Sequence, residues 1–258
     1  MKKDCAEDYT LFELMTVIAA REIKDNEIVF AGTGLPMLGA MLAQHTHAPN
    51  CVIVFEAGAI DCKLAHLPMS VGDPRTMRSA STATGLFDVF STVLQRGWID
   101  VGFLSGAQID QFGNINATAI GNYHSPKVRF TGSGGSGDIA CLSKRTVIIA
   151  RHEKRRLPEK ADYVTSPGWI DGPGGREREG LPRGGPSSIV TTMGVLQFEE
   201  TTKKAYLSSY HPGITPHTIQ EHTGFTLDIS QAVETEKPTE EEIHILRHEV
   251  DPERIFLR

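Results

Sequence analysis

The chain has 258 residues, of which 40% are hydrophobic and 22% are charged, a balance typical of a globular protein with a buried core. Its apolar runs fall short of the roughly 18 residues that a membrane-spanning helix needs, and residues 1–9 are polar, so we expect a cytoplasmic protein. The formal net charge is −6 and the basic residues are scattered. This pattern argues against a duplex-binding face, so no nucleic-acid partner is expected.

Cysteine and histidine are spaced in ways that predict neither disulfides nor a metal site. The four cysteines lack close paired spacing, and two of them sit beside apolar, strand-like runs where reduced cysteine is a common core residue. His244 and His248 stand four apart on an acidic C-terminal helix, which is the nearest approach to a ligand pattern. We interpret this pair as part of a solvated face, because a third ligand is missing.

The N-terminal half alternates helical and strand-like segments, the pattern of a parallel sheet covered by helices. Thr10 and Glu13 form a capping box before an amphipathic segment, which predicts a helix running to about residue 23. A strand over residues 28–31 then meets a glycine turn at residues 32–36. A helix follows through Leu38, Met41 and Leu42.

The remaining segments extend this sheet. A continuous apolar run over residues 51–55 predicts a strand inside the sheet that ends abruptly at Glu56. Residues 86–95 are predicted as a helix closed by Gly97, and residues 101–104, 127–131 and 146–150 as further strands. Residues 166–187 predict one long loop, and short alternating strands follow over residues 189–210. The sequence therefore predicts an α/β fold in one domain, residues 1–258, with a small antiparallel extension in the C-terminal half.

Glu56 is the best placed polar residue, since ligands of open α/β sheets bind outside the carboxyl ends of the strands. A carboxylate directly after a buried strand must be solvated, paired with a cation or held in a functional site, because burying an isolated charge is prohibitive. A capped or salt-bridged glutamate is the ordinary interpretation. The small residues Ala57, Gly58 and Ala59 favour the functional one, because they would clear space for a bulky ligand.

Residues 132–137 form a glycine cluster, GSGGSG, directly before a segment compatible with a helix. Successive backbone N–H groups of such a loop can bind a phosphate or a developing oxyanion, although a tight connection would have the same composition. The cluster lacks the Gly-Lys-Ser/Thr of a P-loop. The turn at Gly32 and Gly34 is similarly ambiguous, and Met37 occupies the place of the third glycine of a dinucleotide fingerprint, so NAD is excluded there.

Taken in order along the chain, these segments resemble the class I CoA-transferases, and within them the β-type subunits that act on glutaconate-type dicarboxylic acids. The resemblance covers nearly the whole chain. It is carried by residues 32–36 (GTGLP), 55–58 (FEAG), 70–73 (SVGD), 106–110 (GAQID), 129–135 (RFTGSGG), 152–156 (HEKRR) and 163–178 (YVTSPGWIDGPGGRER). It implies a three-layer α/β fold shared with sugar-phosphate isomerases, with a mostly parallel sheet and helices on both faces.

The resemblance also implies roles for individual residues. In the family the strand-end glutamate is the nucleophile, and here this residue is Glu56. The glycine loop further along the chain supplies backbone donors for an oxyanion and for CoA. The donors expected in that loop are Gly132, Gly134 and Gly135. Gln108, which follows the predicted strand over residues 101–104, is expected to orient a substrate carboxylate, and Gly34 is a further expected substrate contact.

Partners and substrates are implied in the same way. They are an obligatory α-type CoA-transferase subunit of similar fold, an acyl-CoA and a small carboxylic acid, with no tightly bound cofactor and no metal. The family usually has Asn or Ser after the glutamate, whereas this chain has Ala57. A side-chain hydrogen bond beside the carboxylate is therefore expected to be missing, with an effect on rate or substrate choice.

The chemistry needs few groups. A carboxylate with an ordinary pKa of about 4.3 is ionised at neutral pH and attacks a thioester without a general base. Attack by Glu56 on acyl-CoA would give a mixed anhydride and CoA thiolate, and the thiolate would then form a glutamyl thioester and release the first acid. A second acid reverses the sequence, which predicts ping-pong kinetics. Each stage builds negative charge on a carbonyl oxygen that N–H donors stabilise.

Several alternatives stay open at this point. Gln108 could equally be a turn residue hydrogen-bonded to backbone. Arg176, Arg178 and Arg183 could meet CoA phosphates or the partner chain, or simply be solvated. On the same fold the protein could be an acyl-CoA hydrolase or a decarboxylase, although Glu56 favours transfer. The alternative of another class is a non-catalytic structural or ligand-sensing subunit, but the short polar N-terminal segment cannot hold the helix-turn-helix of a transcription regulator.

Overall fold

The computed structural model describes residues 4–64, 66–181 and 183–257. The chain forms two compact units, the first comprising Met1–Phe103 with Glu236–Arg258 and the second Leu104–Thr235. A single domain over residues 1–258 stays a prediction from the sequence. Within the described ranges, no helix combines the length and the apolar character needed to cross a membrane.

The α-helices are, in chain order, α1 (Leu11–Arg21), α2 (Leu35–His45), α3 (Leu86–Asp88), α4 (Ser136–Leu142), α5 (Gly175–Arg178), α6 (Pro216–Glu221) and α7 (Glu240–Ile245). The strands are β1 (Ile28–Phe30), β2 (Val52–Val54), β3 (Ala59–Cys62), β4 (Ala80–Ala83), β5 (Val101–Leu104), β6 (Gln108–Ile109), β7 (Ile115–Asn116), β8 (Ala119–Asn122), β9 (Ser125–Arg129), β10 (Arg145–Ala150), β11 (Pro186–Thr191), β12 (Gly194–Phe198), β13 (Ala205–Tyr210) and β14 (Val233–Glu234). A 3₁₀ turn at Pro74–Met77 and π-helical segments at Val89–Leu94 and Leu246–Val250 complete the regular structure.

The strands of the first unit follow the order β5-β1-β2-β3-β4. β1 runs parallel to β2 and to β5, whereas β3 runs antiparallel to both β2 and β4. Ile53 in β2 and Val101 in β5 are completely buried. Parallel strands covered on both faces have continuous apolar sequences, which is why the sequence predicted these strands correctly.

Helices α1 and α2 pack against each other in the first unit. The predicted capping box is present: the Thr10 hydroxyl accepts the N–H of Glu13, and the Glu13 carboxylate accepts the N–H of Thr10. The helix ends at Arg21, slightly earlier than predicted. A Cβ at Gly39 would lie 3.1 Å from the Cβ of Ala19, so glycine allows the two helices to approach closely.

The strands of the second unit follow the order β14-β13-β12-β11-β10. β10 is parallel to β11, and β11, β12 and β13 form an antiparallel meander, which confirms the extension predicted over residues 189–210. Two small antiparallel hairpins, β6–β7 and β8–β9, also belong to this unit. The predicted α/β class, with parallel strands, helices and an antiparallel extension in the C-terminal half, is confirmed.

Three predicted elements differ from the structure. The segment predicted as one long loop over residues 166–187 contains α5 and the first two residues of β11. The strand predicted over residues 127–131 is β9, which starts earlier and pairs only with β8 in a largely exposed hairpin. The helix predicted over residues 86–95 has one α-helical turn and continues as a π-helical segment, with Gly97 at φ +75° beyond its end. The wider π-helical turn brings Val89, Val93 and Leu94 to one buried face.

Candidate active site

Glu56 lies in the turn that joins β2 to β3. Phe55 is fully buried at the end of the strand; its carbonyl accepts the N–H of Gly58 (3.0 Å), and its own N–H donates to the carbonyl of Ala59 (2.9 Å). Glu56 and Ala57 are therefore the central residues of a tight turn. Since β2 is flanked by β1 and β3, Glu56 follows the carboxyl end of an interior strand, as predicted.

Gly58 fixes the shape of this turn. It has φ +118°, and a Cβ at this position would overlap the carbonyl oxygen of Thr84. The N–H of Thr84 in turn donates to the carbonyl of Gly58 (2.9 Å). The prediction that Gly58 and Ala59 clear space for a ligand is wrong, because Thr84 fills the space beside Gly58 and Ala59 is fully buried.

The Glu56 side chain is half-buried, and it makes no hydrogen bond or ion pair with any residue that the structure describes. The capped or salt-bridged glutamate considered from the sequence is therefore not observed. Glu13 of the same unit, by contrast, is paired with Arg247 (2.7 Å). A carboxylate left without an internal partner at the end of a strand can bind or attack a ligand.

Gly34 lies at the same edge of the sheet as Glu56. β1 and β2 are parallel neighbours with Phe30 opposite Val54, so the segments that follow them leave the sheet together. Gly34 precedes α2 with φ +90°, and a Cβ there would meet no atom within 4 Å. The turn after β1 is therefore open on its glycine side, and both site residues predicted in the first unit follow strands that end at the same edge of the sheet.

The glycine loop of the second unit precedes α4. The N–H of Gly132 donates to the carbonyl of Ala117 (3.0 Å), so this group is not free for an oxyanion. The N–H groups of Gly134 and Gly135 have no hydrogen-bond partner in the described part of the chain. A Cβ at Gly134, which has φ +50°, would meet nothing within 4 Å. The loop thus offers two open backbone donors rather than the three predicted.

Gln108 is buried, with 7% of its surface exposed. Its amide oxygen accepts hydrogen bonds from Asn116 Nδ2 (2.7 Å) and from the N–H of Asp162 (3.0 Å). Its amide nitrogen lies 3.3 Å from the Asp162 carboxylate. These contacts correspond to the structural alternative considered for Gln108, and they tie β6 to β7 and to the segment before Tyr163.

Asp110 forms a second buried polar anchor that the sequence analysis did not identify. Its carboxylate accepts hydrogen bonds from Asn114 Nδ2 (3.1 and 3.0 Å) and from the N–H groups of Phe112 and Asn114. Burial, only partly offset by these donors, raises the pKa of this carboxyl. Asp110 and Asn114 stand four apart in residues 109–116, a segment that also contains Gln111 and Asn116, so the sequence offered no distinctive signal for this anchor.

Arg176 is buried, so the interpretations of this residue as solvated, as a contact for CoA phosphates and as a contact for the partner chain are all wrong. It is 3% exposed, and burial lowers the pKa of its guanidinium. Its partners are backbone carbonyl oxygens, those of Ala140, Cys141, Pro167, Gly168 and Arg183. Arg176 therefore holds the loop over residues 166–187 together, whereas Arg178 is exposed and pairs with Asp171.

Two buried histidines of the second unit were also missed. His152 contacts the hydroxyls of Thr191 (2.9 Å) and Thr223 (3.0 Å) through its two ring nitrogens. His211 contacts the Thr191 carbonyl (2.8 Å) and the Thr235 hydroxyl (3.1 Å). Burial lowers the pKa of His152 to about 4 and lowers that of His211. Both rings are neutral parts of a hydrogen-bonded core at pH 7.

Thiols and surface histidines offer no further chemistry. His244 and His248 are exposed with their ring centroids 4.5 Å apart, and the described residues include no group of three or more potential ligands placed to hold a metal. The four cysteines are free. Burial raises the pKa of Cys51 to about 11 and that of Cys62 to about 12, which keeps these thiols protonated.

A cavity of about 780 Å³ lies in the second unit at the turn between β12 and β13. Its lining includes Phe198, Thr202, Tyr206 and Asp228, and none of the predicted site residues lines it. Its lining includes both acidic and basic side chains, so its charge does not indicate one class of ligand. Glu56 and Gly34 in the first unit and the open glycine loop in the second unit therefore stay the candidate site residues, and this cavity is not a candidate site.

The chain is similar over almost its whole length to enzymes of known activity. The model of the coenzyme A transferase family matches residues 12–222. The β subunit of glutaconate CoA-transferase from Acidaminococcus fermentans is 47% identical over 97% of this chain and 96% of its own length. The β subunit of 3-oxoadipate CoA-transferase from Pseudomonas knackmussii is 40% identical, covering 93% of this chain and 92% of its own. The crystal structure of the A. fermentans glutaconate coenzyme A-transferase matches with a TM-score of 0.91 over 99% of both chains at 45% identity. The chain belongs to the coenzyme A transferase family.

Proposed function

We propose that this chain is the β-type subunit of a heteromeric CoA-transferase and that Glu56 is its nucleophile. One observation carries the proposal: a half-buried carboxylate follows an interior strand and has no partner among the described residues. In a member of the coenzyme A transferase family, such a group is suited to attack a thioester. A purely structural glutamate would be expected to have a hydrogen-bond or ion-pair partner.

The first half of the reaction moves CoA onto the protein. A Glu56 oxygen attacks the thioester carbonyl carbon, the C–S bond breaks, and CoA leaves as a thiolate from the resulting mixed anhydride. The thiolate then attacks the Glu56 carbonyl carbon. The C–O bond of the anhydride breaks, and the first acid leaves as a carboxylate. The thioester bond energy is now held in a Glu56–CoA thioester.

The second half reverses these steps with a different acid. Its carboxylate attacks the Glu56 thioester carbonyl and expels CoA thiolate, which then attacks the acyl carbonyl of the new anhydride. The products are a new acyl-CoA and the regenerated Glu56 carboxylate. No proton has to be abstracted from the nucleophile, so neither a catalytic triad nor a metal ion is required. Kinetics of the ping-pong type follow from the covalent intermediate.

Negative charge develops on a carbonyl oxygen in each of these steps. We assign its stabilisation to the N–H groups of Gly134 and Gly135, which lack partners within the described residues and stand in an open loop. A preorganised donor of this kind typically contributes roughly 3 kcal/mol to the transition state. The N–H of Gly132 fixes the loop by donating to the Ala117 carbonyl. The space beside Gly34 is open, and we assign it to the substrate.

The relatives support a proposal for the partner and the substrates. The glutaconate and 3-oxoadipate CoA-transferase relatives are themselves β subunits, so we propose an α-type chain as the partner of this one. The acid substrate is a glutaconate-type or related dicarboxylate. Acyl-CoA is a substrate, and no tightly bound cofactor is needed. A cytoplasmic location stays a prediction from the sequence.

The decisive experiment traps the covalent intermediate. The two-subunit complex is incubated with glutaconyl-CoA, reduced with borohydride and digested, and the modified residue is located by mass spectrometry. Reduction of the Glu56 thioester to an alcohol would establish the class of reaction and the nucleophile together. An unmodified Glu56 with release of free acid would instead identify an acyl-CoA hydrolase. A complex without any turnover would indicate a non-catalytic subunit.

A further inference from the structure

The hairpin β8–β9 of the second unit presents an exposed group of aromatic side chains. Tyr123 and Tyr163 stack with ring centroids 5.2 Å apart and planes inclined by 19°, and the Arg129 guanidinium lies 4.7 Å from the centroid of the Tyr123 ring. Tyr123 is 45% exposed and Tyr163 is 36% exposed. The stacking and the cation–π contact hold the two exposed tyrosine rings in fixed positions, so their surface is preorganised for a flat ligand.

The same hairpin is positively charged within an acidic chain. Residues 119–129 include Lys127 and Arg129 but no Asp or Glu, whereas the whole chain has a net charge of −6. The exposed Lys127 makes no hydrogen bond or ion pair with any described residue, and Arg129 Nη2 donates to the Tyr123 carbonyl (2.6 Å). The neighbouring Asp162 carboxylate accepts the N–H of Gly121 (2.9 Å). Lys127 is therefore available to an anionic ligand, and Arg129, held in place by Tyr123, adds a second positive charge beside it.

The hairpin continues into the glycine loop. The N–H of Phe130 donates to the Thr118 carbonyl (2.9 Å) and that of Gly132 to the Ala117 carbonyl (3.0 Å), so the pairing extends beyond β9. Lys127 precedes Gly134 by few residues, and even a fully extended chain separates them by no more than roughly 24 Å. A long ligand with its reactive end at Gly134 and Gly135 can therefore lie along the hairpin.

We infer that Tyr123, Lys127, Arg129 and Tyr163, here termed the basic aromatic hairpin, bind the 3′-phosphorylated ADP end of coenzyme A. Adenine is flat and stacks on aromatic side chains, and the phosphates are recognised by lysine and arginine. The flexible pantetheine arm connects this end to the thioester. The inference rests on the proposed function, because the role of the glycine loop at the thioester belongs to that proposal.

Binding measurements on the two-subunit complex test this assignment. Calorimetric titration with CoA and with pantetheine, which lacks the nucleotide, is carried out for wild type, Lys127→Ala and Tyr163→Ala. Each substitution is expected to weaken CoA binding about tenfold and to leave pantetheine binding unchanged. Lys24→Ala is the matched control, since Lys24 is an exposed lysine outside the hairpin, and its CoA affinity should equal that of wild type.

Two results would overturn the inference. One is wild-type CoA affinity in both hairpin variants. The other is loss of subunit association, measured by size-exclusion chromatography, with unchanged CoA affinity in the remaining complex; this would assign the surface to the partner chain. A wild-type complex that binds CoA through the hairpin without transferring it would refute the proposed function alone. CoA transfer that is indifferent to the hairpin variants would refute this inference alone.

Discussion

At the scale of single residues, the side chain proposed for catalysis lacks hydrogen bonds to the described part of the chain, whereas a side chain that stabilises the fold has many. Glu56 is half-buried and makes no hydrogen bond or ion pair with the described residues, so its replacement breaks no such interaction among them. Arg176 is fully enclosed, and its guanidinium donates to backbone carbonyls from three segments of the second unit. The first side chain can therefore be tested by activity and the second by unfolding.

Replacement of Glu56 should separate catalysis from folding. We expect Glu56→Ala to lower the rate of CoA transfer at least about a thousandfold, because removal of a covalent nucleophile leaves only binding and oxyanion stabilisation. The free energy of unfolding should change by less than about 0.5 kcal/mol. Transfer is measured in the two-subunit complex and unfolding in urea. Glu200→Ala, at an exposed glutamate, is the control; a Glu56→Ala variant with a tenth of wild-type activity would contradict the assignment.

Replacement of Arg176 should have the reverse effect on stability. Lysine lacks the planar fork of arginine, so Arg176→Lys leaves buried carbonyl groups without donors and is expected to lower the free energy of unfolding by about 3 kcal/mol. Urea unfolding monitored by tryptophan fluorescence measures this loss. Arg178→Lys is the matched control on the same helix, because Arg178 is exposed and its substitution should change stability by less than about 0.5 kcal/mol. If Arg176→Lys lowered the free energy of unfolding no more than Arg178→Lys does, the Arg176 hydrogen bonds would not stabilise the fold.

At the scale of elements, the turn between β2 and β3 determines where Glu56 stands. Its hydrogen bonds run from Phe55 to Gly58 and Ala59, and the backbone of Thr84 packs directly on Gly58. No other residue type fits Gly58, because both its φ of +118° and the approach of Thr84 exclude a Cβ. The glycine of the FEAG motif is therefore required by the hairpin itself.

Substitution of Gly58 tests this element. We expect Gly58→Ala to lower the free energy of unfolding by at least about 2 kcal/mol, from strain at positive φ together with the clash against Thr84. CoA transfer should fall as well, since Glu56 would be displaced. Gly72→Ala is the control, because a Cβ there meets no atom within 4 Å. A Gly58→Ala variant as stable as Gly72→Ala would refute this account of the turn.

The sequence allowed prediction of elements whose contacts are local or whose burial is uniform. Strands β1, β2, β5 and β10 are apolar runs, and α1 carries its capping signal within four residues. The strand predicted over residues 127–131 overlaps β9 only in part, because β9 is largely exposed and lacks an apolar pattern.

The contacts of the site were harder to predict. The partners of Arg176 are backbone carbonyls of its own loop and of Ala140 and Cys141 in α4, and neither composition nor spacing reveals such contacts. The sequence also did not reveal that the N–H of Gly132 donates to the Ala117 carbonyl. Nor did it reveal that the Gln108 amide oxygen accepts hydrogen bonds from Asn116 and Asp162. The position of Glu56 at a strand end could be predicted, because an apolar run and its end are both visible in the sequence.

At the scale of the whole molecule, acid should weaken the fold through its buried histidines. Burial lowers the pKa of His152 to about 4, and the nearby His222 and His211 act in the same direction; burial also lowers the pKa of His211. An unfolded histidine has a pKa of about 6.5. Between these values the unfolded chain binds protons that the folded chain does not, so the free energy of unfolding falls as the pH falls from about 6.5 to 4.

Urea unfolding between pH 4 and pH 8 measures this dependence. His152 alone should remove about 3 kcal/mol across the window, and above pH 6.5 its contribution should be constant. His152→Asn keeps a polar side chain but cannot titrate, so this variant is expected to be less stable at pH 7 and to have a shallower slope below pH 6.5. Comparison of slopes removes the contribution of carboxyl groups, which titrate in both proteins. His217→Asn, at an exposed histidine, is the control, and identical slopes for wild type and His152→Asn would mean that folding does not lower the pKa of His152.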